Sequence, residues 1–127
     1  MVSSVLVIDN DVALTELLKA TLEPKTFDVH TAHEVEEGIN AVHRINPDVI
    51  VLDLNLPEKD GSQVCRDIRA FSDIPILILS VFNNPGAIAQ ALDEGADDYL
   101  IKPVRNGVLV AHLKKLIRRS RRAQVSL

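Results

Sequence analysis

Four reactive side chains in this sequence each stand where an apolar run stops. Asp9 closes residues 4–9 (SVLVID), Asp53 closes 49–53 (VIVLD), Ser80 closes 74–80 (IPILILS), and Lys102 follows 98–101 (DYLI). Short unbroken runs rich in Val, Ile and Leu suit parallel strands covered on both faces. The carboxyl ends of such strands share one edge of the sheet, so two carboxylates, a hydroxyl and an ammonium converge there although they are far apart in the chain. Taken singly, each reads equally well as a turn residue, a helix cap or a surface charge. Together they make a phosphoryl site. Two carboxylates can hold Mg²⁺, which prefers oxygen donors, and a lysine supplies a point charge for a phosphoryl oxygen. Asp53 is then the nucleophile that forms an acyl phosphate, the metal neutralises charge on the phosphoryl group, and Lys102 and Ser80 contact its other oxygens.

The segments between these strands read as helices. Leu14, Leu17, Leu18 and Leu22 stripe one face before Pro24, and Val35, Ile39 and Val42 stripe another before Asn46-Pro47. Residues 27–31 alternate as an outer strand does. Val64, Ile68 and Phe71 mark a third helix after a loop with Pro57 and Asp60-Gly61. Asn84-Pro85-Gly86 turns the chain into a helix over 87–94, which Gly95 ends in a left-handed conformation. Leu109, Leu113, Leu116 and Ile117 stripe the last helix. Five successive βα units predict an α/β fold, a doubly wound parallel sheet with right-handed crossovers. A barrel needs eight such units.

Composition narrows the function classes. The 127 residues suit one domain, and 46% hydrophobic with only 3% aromatic content means a core of aliphatic side chains. A single cysteine, Cys65, excludes an internal disulfide framework, and no Cys/His cluster has zinc spacing. No secretory signal opens the chain, and its apolar runs are far shorter than the ~20 residues of a membrane span. A soluble protein of the reducing cytoplasm is expected. The net charge of −4 is uneven: residues 114–127 hold six Lys/Arg and no acid, leaving eight bases against eighteen acids before them. An acidic body argues against nucleic-acid binding by this domain.

The pieces VLVIDND, VIVLDLNLPEKDG, ILILS and GADDYLIKP are the motifs by which the chain resembles the receiver domains of two-component response regulators, over residues 4–119. The resemblance implies a five-stranded sheet of order 2-1-3-4-5 with five helices, as in flavodoxin-like and CheY-like folds. It implies a signalling switch rather than an enzyme, in which a histidine kinase phosphorylates Asp53. Asp9, Asp53 and the Asn55 backbone carbonyl would hold Mg²⁺, and Ser80 and Tyr99 would form a switch pair. It also implies a cis Lys102-Pro103 bond that aims the ammonium at the site.

Departures from the family pattern sharpen the expectation. Asn10 stands where the family usually has a second acid, and an amide attracts a divalent cation less strongly than a carboxylate does. Weak Mg²⁺ binding is expected, with Asp11 placed to start the first helix. Val81 and Val104 are bulkier than, or differ from, the usual residues, which reads as ordinary packing variation. GADDYLIKP with the closing RRS most resembles OmpR/PhoB-type receivers, which precede a DNA-binding domain. The expected division is a receiver over 1–119 and a basic tail, or the start of a linker to an effector domain, over 120–127. Arg118, Arg119, Arg121 and Arg122 read as cations at a helix C-terminus.

That subfamily dimerises through its fourth helix, fifth strand and fifth helix. Asp97, Asp98 and Arg118 persist here, but Gln90, Val108 and His112 replace a base, an acid and a base, so a weak or altered homodimer is expected. His30, His33, His43 and His112 share no ligand spacing and read as surface or helix-packing residues, and Cys65 as a small packing residue. Two rival classes fit less well. A haloacid-dehalogenase-like phosphatase wants a second Asp where Asn55 stands, and a flavodoxin-like cofactor binder wants a phosphate loop after residues 4–9. A pseudo-receiver that works without phosphorylation, as a protein interaction module, is the alternative, and Asn10 is its basis.

Overall fold

The structure is a computed structural model that describes residues 2–125, with side chains to residue 121. Arg122 of the basic run, as a side chain, and the rest of the tail's side chains lie outside the described residues. Five strands, β1 (Ser3–Ile8), β2 (Phe27–Ala32), β3 (Val49–Leu52), β4 (Ile76–Ser80) and β5 (Asp98–Ile101), alternate with helices α1 (Val12–Leu22), α2 (Val35–Ile45), α3 (Gly61–Arg69), α4 (Pro85–Asp93) and α5 (Asn106–Val125). All pairings are parallel, in the order β2-β1-β3-β4-β5.

Alternation along each strand divides the core into two layers. Leu6, Ile8, Ile50, Leu52, Ile76 and Ile78 face α2, α3 and α4, whereas Val5, Val7, Val49, Val51, Leu77 and Leu79 face α1 and α5. The doubly wound expectation holds, as do the stripes of α2 and α5.

Two expected core residues are not core. Leu17 is 62% exposed; Thr15, Leu18 and Leu22 form the buried face of α1 instead. Thr15 is tolerable there because its Oγ1 lies 2.9 Å from Val12 O and 2.9 Å from His33 Nε2. Phe71 lies beyond the end of α3 and is 42% exposed, stacked on His43 with ring centroids 4.0 Å apart. Cys65 and Val64 occupy the buried α3 face with Ile68. Burial pushes the Cys65 thiol up to about 11. The fourth strand starts at Ile76 rather than at 74, and α4 starts at Pro85, whose fixed φ suits a first helical position. Gly95 has φ 115°, the left-handed value expected past a helix end.

Candidate functional site

Each strand ends where its apolar run ends, and a loop then leads into the next helix. Asp9 directly follows β1, Asp53 follows β3, Ser80 is the last residue of β4, and Lys102 follows β5. The four therefore meet at one edge. Backbone bonds fix the two acids in place: Asp9 N–H donates to Ala32 O and Asp53 N–H to Ile8 O, each at 3.0 Å. Local capping sets the rest. Asp11 caps α1 by accepting from Leu14 N–H at 3.1 Å, and its own N–H donates to Asp9 Oδ1 at 2.9 Å. Asp60 caps α3 by accepting from Ser62 N–H.

Asp9 and Asp53 are 3% and 5% exposed, and Ser80 is fully buried. Lys102 Nζ lies 2.8 Å from Asp9 Oδ2 and 3.7 Å from Asp53 Oδ2, so one ammonium serves two carboxylates. Asp53 Oδ1 is buried without a hydrogen-bond partner. Burial, followed by the charge of Asp9, raises the pKa of Asp53, while Lys102 and the backbone N–H groups of Asn55 and Leu54 oppose the rise. The Lys102-Pro103 bond is cis. An orphaned carboxylate oxygen and an excess of acid over base fit a divalent cation. Asn10 and Asn55 are exposed at the same edge, and among the described residues no three His, Cys, Asp or Glu side chains cluster for a metal. The donor set is thin.

Ser80 and Tyr99 meet through a third residue that sequence reasoning passed over. Phe82 N–H donates to Ser80 Oγ at 3.1 Å, and Tyr99 OH donates to Phe82 O at 2.6 Å. One peptide segment thus engages both hydroxyls. Gly61 is more than the turn signal that its place after Asp60 suggests. A Cβ there would lie 2.5 Å from Asp53 O and 2.5 Å from Leu54 Cα, and Gly61 N–H donates to Leu54 O. The proline-to-glycine loop after the strand was the available signal, since a close backbone approach selects glycine.

On the β5 side, the acids expected to reach a second subunit are engaged within the chain. Asp97 Oδ2 accepts from Arg69 Nη2 at 2.7 Å and from Ile76 N–H at 2.9 Å. Asp98 Oδ2 lies 2.5 Å from His112 Nδ1 and 3.3 Å from Lys115 Nζ. Burial would raise the pKa of Asp98, but bonds from His112, Tyr99 N–H and Lys115 outweigh it and hold the carboxyl below its usual range. His112 therefore bonds Asp98 alongside Lys115 rather than serving as a simple packing residue. At the opposite edge of the sheet, Arg121 reaches Ser3 Oγ at 3.3 Å and Asp48 at 3.9 Å.

Residues 5–114 match the family model described as the response regulator receiver domain. The transcriptional regulatory protein AfsQ1 of Streptomyces coelicolor is 39% identical over 94% of this chain and 53% of its own length. The DNA-binding response regulator MtrA of Mycobacterium tuberculosis is 36% identical over 91% of this chain and 51% of its own. A two-component response regulator from Clostridium difficile superposes with TM-score 0.90 at 35% identity, over 93% of this chain and 98% of that one. The chain spans about half the length of the curated relatives it matches. Among the described residues, no helix is long and apolar enough to cross a membrane.

Proposed function

This chain belongs to the family of response regulator receiver domains, and we propose that Asp53 is its phosphoacceptor, receiving a phosphoryl group from the histidine of a kinase. The observation that carries this reading is the spanning of Asp9 and Asp53 by Lys102 beside the unpartnered Asp53 oxygen. Asp53 attacks phosphorus, an O–P bond forms as the donor's P–N bond breaks, and the donor imidazole leaves. Burial and Asp9 favour the reaction by making the carboxylate more basic than usual. Lys102 then turns toward a phosphoryl oxygen, and Ser80 exchanges its bond with Phe82 N–H for one to the phosphoryl group. Tyr99, held to Phe82 O, follows that change and alters the surface around α4 and β5.

Receivers generally use Mg²⁺. Here Asp9, Asp53 and the Asn55 backbone carbonyl would hold it, and when bound it would neutralise charge on the transferring group. With Asn10 in place of an acid the affinity is low, so the Asn10→Asp variant binds Mg²⁺ more tightly in a titration; equal affinities refute this point.

The division into a receiver over 1–119 and a basic tail over 120–127, a cytoplasmic setting and a role as a switch rather than an enzyme complete the reading. Any homodimer on the α4-β5-α5 face is weak or altered, because Asp97 and Asp98 are already paired internally. Sedimentation with and without a phosphoryl mimic tests this. Incubation with acetyl phosphate and Mg²⁺, followed by intact mass, tests the main proposal: one phosphoryl adduct on the wild type and none on Asp53→Asn. A folded wild type without adduct favours the pseudo-receiver, the reading for which exposed Asn10 speaks.

A further inference from the structure

Beside the phosphoryl site, one acid does a task that no local motif announces. Helix α2 begins at Val35, and its own N-cap residue, Glu34, makes no side-chain capping bond. Instead Glu58 Oε1, in the loop after Asp53 and 23 positions along the chain, accepts from Val35 N–H at 2.9 Å. An anion at a helix start is favoured both by the free N–H and by the helix dipole. The strand order sets what this bond spans. β1 lies between β2 and β3, so a bond from the β3–α3 loop to the start of α2 crosses the carboxyl end of β1, where Asp9 stands.

Both anchorages of that bond bear on the acids. Val35 packs in one cluster with Ile8, which directly precedes Asp9, and with Leu54 and Leu56, the first and third residues after Asp53. Gly38 of α2 lies close to Ile8: a Cβ there would come within 2.8 Å of Ile8 Cδ1, so α2 packs directly on the side chain at the end of β1. The neighbouring side chains of the loop hold α3 instead: Lys59 bonds Asp67 at 2.8 Å and Asp60 caps the helix. Glu58 alone of the three ties the loop across to α2.

We infer that Glu58 is a positioning residue that holds the Asp9 and Asp53 loops at their working separation by capping α2 from a distance; the inference rests on the reading of Asp53 as phosphoacceptor. Small misplacements of reacting groups cost much in rate. Glu58→Ala is therefore expected to slow phosphorylation of Asp53 by acetyl phosphate about fivefold. Glu58→Gln, which keeps an acceptor oxygen, stays within about twofold of wild type. Asp48→Ala removes a carboxylate that accepts from Ser4 at the opposite edge, and serves as a variant destabilised away from the site; its rate stays at the wild-type level.

Amide hydrogen exchange supplies a readout that does not need the chemistry. Glu58→Ala speeds exchange at Val35 and Asp9, and Glu58→Gln and Asp48→Ala do not. A Glu58→Ala protein with wild-type exchange at Asp9, or an Asp48→Ala protein slowed as much as Glu58→Ala, overturns the inference. Absence of any adduct on the wild type defeats the phosphoacceptor reading instead, and the exchange data then still decide whether Glu58 holds the two loops.

Discussion

The two flanks of the proposed phosphoryl site are held very differently. On the acid flank, α2 buries Val35, Gly38, Ala41 and Val42, and its start is engaged by Glu58 and by Glu37, which accepts from His33 N–H. On the hydroxyl flank, α4 buries Ala91 alone, has no side-chain cap, no acid in its first turn and no base in its last. Phe82, between Ser80 and α4, is exposed. Groups proposed to keep a fixed separation sit on the tight flank, and groups proposed to move sit beside the loose one.

The sharpest way to break this contrast is a methyl group at two helix starts. Gly61→Ala on the acid flank forces backbone atoms apart and should cost about 3 kcal/mol, read by denaturant unfolding. If Gly61→Ala unfolds like wild type, the acid flank is not tight. Next comes charge. Removing one of two buried carboxylates that share a lysine leaves Lys102 and Asp9 as a matched pair, so Asp53→Asn should raise Tm by roughly 3–6 °C at pH 7. The sign follows from the raised pKa: the native state binds more protons than the unfolded one between the ordinary value and the native value. Stability is thus lost as pH rises through that window, and the gain from Asp53→Asn disappears at pH below it.

Asp98, on the other side, should behave oppositely. Its lowered pKa means that its contribution is present at neutral pH and is lost as pH falls through its depressed native value. Asp98→Asn should cost about 1–2 kcal/mol at pH 7 and progressively less in acid, and a cost that persists unchanged in acid counts against a stabilising Asp98 carboxylate. The smallest effect is at Gly86, where a new Cβ meets only Asn84 Nδ2 at 3.7 Å. Gly86→Ala should stabilise by about 0.5 kcal/mol, as alanine does in a helix with room for it. Its thermal midpoint decides, and a marked loss would show that α4 is held more tightly than its contacts indicate.

Much of this is legible in the amino-acid sequence. An apolar run that ends in a polar residue marks a strand end whatever packs around it, and so Asp9, Asp53, Ser80 and Lys102 could be set on one edge from the sequence. Leu17 and Phe71 show where that logic stops. Periodicity counts apolar residues but cannot see that Thr15, once its hydroxyl is bonded, fills the inner face of α1. Nor can it see that α3 ends before Phe71. Phe82 was invisible for a different reason: it acts through its N–H and C=O, which every non-proline residue has. Glu58 was hidden by distance along the chain, because capping rules look only a few residues away.

Buried Cys65 offers a practical opening. With its thiol pushed up to about 11, only about one molecule in 10⁴ carries the reactive thiolate at pH 7, and the sulfur is shut inside the α3 layer. A cysteine introduced at exposed Leu92 on α4 would accept a spin or fluorescent label while Cys65 stays silent. The one thiol of this sequence is thus masked by burial, and a label on α4 can report on that helix without first removing Cys65.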